Sequence, residues 1–194
     1  LVNEFGLSAA DLGVLTAVLF LTFGALQLPL GVWLDRFGPR RVQAVLLAVA
    51  AIGAAVFASA HDLLGLILGR ALIGLGVAGA LMAGLKALVL WFPTERIALA
   101  NGWLITLGAL GAVTATAPAA MLIASIGWRG RFLLLAILSA SAALLILQFV
   151  PERPTRGRGE TTASGMTIRA VYRDAQFWRI APLSATTIGS AWAL

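Results

Sequence analysis

The chain has 194 residues, 60% hydrophobic and 11% charged, with a formal net charge of +6 and no cysteine. A soluble domain usually carries about 25% charged residues, so a water-facing surface cannot be assembled from this sequence, and without thiols neither disulfides nor thiolate metal sites arise. The positive balance does not mark a nucleic-acid partner, because the bases gather in short clusters at the ends of charge-free stretches, where membrane topology accounts for them.

A helix needs about 20 apolar residues to cross a bilayer. Residues 1–6 read as the tail of a loop, and the first ten residues lack the basic start of a secretory signal. Ser8 and Asp11 have capping-box spacing, with Leu7 placed to pack on Leu12, so a helix begins there. Predicted spans follow at about 12–34, 42–60, 63–92, 101–126 and 132–150, the third interrupted by Arg70 and Lys86 and the fourth drawn from a charge-free run over 97–128. Residues 151–166 are rich in Pro, Gly, Thr and Arg and read as a linker. Ile168, Val171, Tyr172, Ala175 and Trp178 then recur at helical spacing, which predicts an amphipathic helix within a central loop over 151–179. A further span starts at 180 and continues to 194.

Bases alternate from one connection to the next, ten on one side of the membrane against two, Arg129 and Arg131, on the other. The positive-inside rule therefore makes the connections bearing Arg36, Arg40, Arg41, Arg96 and 151–179 cytoplasmic and places His61 and Asp62 outside. A chain that starts outside without a Met is expected to lack an upstream segment. Small residues such as Gly65 with Gly69, and Gly108, Ala112, Ala115 and Ala119, recur at spacings that let helices approach closely in lipid.

Between the first two spans stand Gly31, Asp35, Arg36, Gly38, Arg40 and Arg41. Gly31 removes a side chain where helices can cross, Gly38 permits the positive φ of a short reversal, and Asp35 is placed to meet the N-terminal end of a neighbouring helix. This arrangement resembles the loop between helices 2 and 3 of the major facilitator superfamily. Trp33 and Pro39 depart from that pattern. Arg70, Gly74 and Gly76 are similar to the family's helix 4 motif, with Gly74 and Gly76 as helix-packing positions, while Trp91, Phe92 and Pro93, and Gly127, Trp128 and Arg129, agree further. Ala117 and Pro118 match the antiporter motif of helix 5 only weakly. The resemblance implies an all-α, polytopic transmembrane bundle, in which the five spans are helices 2–6 of a twelve-helix fold, helix 7 starts near 180, and helix 1 lies upstream of this sequence. It also implies that Asp35 and its neighbours form a conformational latch on the cytoplasmic side.

The function expected is secondary active transport of a small solute, an organic or inorganic anion among the candidates, by alternating access with H+ or Na+ as candidate coupling ions. The alternatives are a proton-coupled drug or metabolite efflux antiporter and a non-transporting sensor or scaffold on the same fold. The expected location is a bacterial cytoplasmic (inner) membrane. An enzyme is not expected, since no paired intramembrane acids or histidine cluster is present and His61 lies in a connection; no metal or cofactor site is expected either. Arg70 and Lys86 are the substrate or coupling candidates, because a base within a span usually faces a pathway or a partner. The competing readings are a structural ion pair for Arg70, with an acid outside this stretch, and snorkelling to the surface for Lys86. Their spacing puts them on nearly opposite faces, so one ligand is not expected to touch both.

Overall fold

The computed structural model describes residues 2–115 and 117–151. The linker, amphipathic helix and further span expected from 152 onward lie outside the described residues. Among the described residues there are seven helices: α1 (Val2–Phe5), α2 (Ala9–Phe37), α3 (Pro39–Ser59), α4 (Leu63–Val77), α5 (Ala80–Trp91), α6 (Thr94–Thr114) and α7 (Ala117–Phe149). Five segments of the described residues are long and apolar enough to cross a membrane: Ala9–Phe37, Pro39–Ser59, Leu63–Trp91, Thr94–Thr114 and Ile126–Phe149.

Residues 1–6, expected as a loop tail, hold the short helix α1. It is fixed by tertiary contacts, because Phe5 meets Trp128 edge-on at 6.0 Å between ring centroids, a partner far away in sequence. The capping box of α2 forms, with the Ser8 N–H donating to Asp11 at 2.8 Å and the Asp11 N–H donating to Ser8 Oγ at 3.2 Å. Leu7 instead joins a buried cluster with Leu15, Phe57, Ala60 and Leu66, while Leu12 stays exposed.

A single residue, Gly38, reverses the chain between α2 and α3, at φ 80° and ψ 158°, a conformation that side chains exclude. Its N–H donates to Leu34 O at 3.2 Å, and Pro39 opens α3 with a φ already suited to a helix. Asp35 thus sits on the last turn of α2 and not in a loop. The expected third span is two helices with a break at Ala78 and Gly79. The Gln27 side chain donates to Ala78 O at 3.1 Å across that break, giving the freed carbonyl a partner that lipid cannot supply.

α3 is the central helix, packed mainly on α4 and α7. Its alanines and the glycines of α4 set the spacing: a Cβ on Gly69 would lie 2.7 Å from Phe57 Cβ, and one on Gly76 would overlap the Ala50 backbone. Gly74 faces α2, where a Cβ would overlap Leu19 O and Thr22 Oγ1. Gly31 differs from expectation: no atom lies within 4 Å of the position its Cβ would take, so no described helix crosses there. A second buried cluster of Leu30, Leu34, Val42, Leu46 and Ala83 closes the Gly38 end of the bundle.

The fourth span also differs from expectation. α6 begins at Thr94, directly after Pro93, and ends at Thr114, and the remainder of the charge-free run opens α7. A charge count cannot see this boundary; Pro118, whose missing N–H is tolerated in a first helical turn, marks it. No residue of α6 is buried, and Gly108 and Gly111 meet nothing within 4 Å, so its small-residue stripe has no described partner. Within α7, Gly127 adopts φ 69° and ψ 176°, which kinks the chain before the apolar segment that contains the expected fifth span.

Candidate functional site

Polar and charged groups collect at the two ends of the bundle. At the Gly38 end the Lys86 ammonium on α5 donates to the Asp35 carboxylate on α2. Lys86 had no expected partner, because an acid 51 residues earlier is invisible to a count along the chain. Antiparallel helices bring the end of α2 and the second half of α5 to the same side, and the ion pair follows. The Asp35 side chain is 80% exposed and Lys86 23%, so the pair sits at the rim of the bundle. Exposed pairs contribute about 0–1 kcal/mol, small enough to break and re-form. Arg36 stacks over Phe37 at 5.4 Å, and Arg40 donates to the carbonyl of Leu147 at the far end of α7. Arg41 is exposed, and Gly31 lies on the open face of α2.

At the opposite end, Arg70 stands eight residues into α4 and is half-buried. Its guanidinium lies over the Phe57 ring at 4.9 Å from the centroid and the Phe132 ring at 5.6 Å, within cation–π range. The two rings pack at 4.2 Å, and Trp128 meets Phe57 edge-on at 5.9 Å. The Arg70 Nε is buried without a hydrogen-bond partner among the described residues. No described carboxylate pairs with Arg70. A base held by aromatic faces and left short of an acceptor can take an anionic group.

Beside it, Glu4 bridges two residues at the kink of α7. Its carboxylate accepts from Arg129 Nη2 at 2.7 Å and from Trp128 Nε1 at 2.8 Å, while Arg129 Nη1 donates to Ala58 O at 2.9 Å. The Arg129 guanidinium first, and then the Trp128 indole, hold the Glu4 carboxyl below its ordinary value near 4.5.

Arg70 and Lys86 therefore lie toward opposite ends, and Lys86 is joined with Asp35. Sequence reasoning missed Glu4, Phe57 and Phe132. The one available signal was the Trp128–Arg129 pair at the start of an apolar run, whose partners a linear reading does not reveal.

A sequence model of the Major Facilitator Superfamily matches residues 1–194. Over 155 residues the chain is 28% identical to the Cupriavidus necator protein named "Probable sulfoacetate transporter", covering 79% of this chain and 36% of that protein. It is 29% identical over 142 residues to the Escherichia coli protein named "Probable L-galactonate transporter", covering 73% of this chain and 31% of the relative. It is also 26% identical over 188 residues to a nitrite extrusion protein of Bacillus subtilis, covering 96% and 46%. The chain thus spans between about a third and a half of the length of these relatives.

Proposed function

This chain belongs to the Major Facilitator Superfamily and is part of an integral, multi-pass membrane protein, and from that premise we propose that it serves secondary transport of a small anion by alternating access. The observation that carries the reading is Arg70, a partly buried guanidinium inside a span, stacked on Phe57 and Phe132, with its Nε lacking an acceptor among the described residues. A base in that position is costly unless a partner offsets it, and a carboxylate, sulfonate or nitrogen oxyanion supplies one. The names of the three relatives support the same class, since sulfoacetate, L-galactonate and nitrite are all small anions. The expected location is a bacterial cytoplasmic membrane, as in these bacterial relatives.

Asp35 and Lys86 act in the conformational cycle. Their pair is weak and rim-exposed, so a group in the other half of a complete transporter can compete for the Asp35 carboxylate in one of two states. Asp35, Arg36, Gly38, Arg40 and Arg41 together form the proposed latch.

The test is flux in liposomes containing the intact protein, with sulfoacetate, an aldonate, nitrate and nitrite set against neutral analogues. Arg70→Gln is expected to reduce anion flux at least about tenfold, the loss of one charge-assisted contact, with the protein still folded in the membrane. Movement of neutral or cationic solutes alone, undiminished in Arg70→Gln, would remove the proposal.

A further inference from the structure

Between α5 and α6 a groove of about 510 Å³ opens beside the turn at Pro93. Leu88 of α5 and Phe92 just after it form one wall, Leu99, Trp103 and Leu107 of α6 form the other, and Arg96 is the one charged residue lining it. The Arg96 guanidinium has no hydrogen-bond or ion-pair partner among the described residues, and the side chain is exposed. We infer that this groove is a binding site for an anionic phospholipid, with the phosphate on Arg96 and one acyl chain laid along α6 toward Leu107.

Three observations favour that occupant. The first is composition. Apart from Arg96 the named walls are apolar or aromatic, which suits an acyl chain and offers no partner to the backbone of an extended peptide. The second is length. From Arg96 to Leu107 is eleven residues, about 16 Å of helix, and half of a hydrocarbon core about 30 Å thick is about 15 Å, so the groove matches the depth of one leaflet. The third is charge. Arg96 sits at the same end of the spans as Arg36, Arg40 and Arg41, the end the positive-inside rule makes cytoplasmic, where anionic headgroups give the leaflet a negative surface potential. Trp103 adds a flat apolar surface within the groove.

A base near an anionic leaflet favours a charged headgroup by about fivefold over a zwitterionic one. The experiment places the intact protein in nanodiscs of phosphatidylcholine and phosphatidylglycerol, each supplied in turn with a photoreactive acyl chain, and maps the adducts by mass spectrometry. Phosphatidylglycerol is expected to label residues 99–107 about fivefold more than phosphatidylcholine. Arg96→Gln should bring the two lipids to parity there without changing labelling elsewhere, and Arg96→Lys should keep the preference. Equal labelling in the unaltered protein overturns the inference even if Arg96→Gln fails to fold. Absence of labelling by either lipid also overturns it, because the groove is then covered by protein, whether by another part of the chain or by a second copy.

Discussion

Glu4 shows how one side chain can tie distant parts of the sequence together. Its pKa is held below its ordinary value by Arg129, so the folded state favours the carboxylate. The stabilisation is then fully present above the unfolded value and fades as pH falls through the lower folded one. Melting of the intact protein and of Glu4→Gln should therefore differ at neutral pH, with a gap that narrows as pH drops below about 4.5; a gap unchanged by acid would refute the linkage. The Asp35–Lys86 pair gives a different test. Asp35→Asn and Lys86→Met should each slow turnover more than they reduce the amount of protein in the membrane, and the charge-swapped Asp35→Lys with Lys86→Asp should recover part of the rate. Stability should change by no more than about 1 kcal/mol, as for other exposed pairs. Independent single effects, with no recovery in the swap, would dismiss the shared role. Each of these two residues stood out in the sequence, Asp35 by its motif and Lys86 by its charge within an apolar run. Their contact did not, since it is made by the arrangement of α2 against α5 and not by any local pattern.

Among the helices, α3 and α4 touch most closely where glycine stands. Gly76→Ala would drive a methyl into the Ala50 backbone, and overpacking of this kind costs about 1–3 kcal/mol. A clear fall in the melting temperature of the purified intact protein is expected; an unchanged melt would mean that α4 shifts freely against α3. Apolar runs mark where spans are expected, because lipid rewards long charge-free stretches whatever their internal detail. The same insensitivity hid the break at Ala78 and Gly79 and misplaced the fourth span, where the uncharged residues near Pro118 form a helix boundary that charge counting passes over. Gly31 is a related case. Its motif position suggested a close crossing, yet its face of α2 meets no described neighbour, so the residue type was legible and its packing was not.

Across the molecule, each end is knit by contacts that fit one topology. Arg40 joins the start of α3 to the end of α7 at the Gly38 side, and Arg129 joins the kink of α7 to the end of α3 at the other. Orientation across the membrane remains a prediction from the alternation of bases. With cysteines introduced as His61→Cys or Glu160→Cys in a cysteine-free version of the intact protein, an impermeant thiol reagent added outside should label position 61 and spare position 160. The reverse result would invert the assignment. The two arginine contacts carry a mechanical consequence. A rod fastened to its neighbour at one point can pivot or slip lengthwise, but a rod fastened at both tips can do neither. α3 and the long segment of α7 are joined in this second way and also pack along their length, so a movement that opens the bundle is expected to carry the two together.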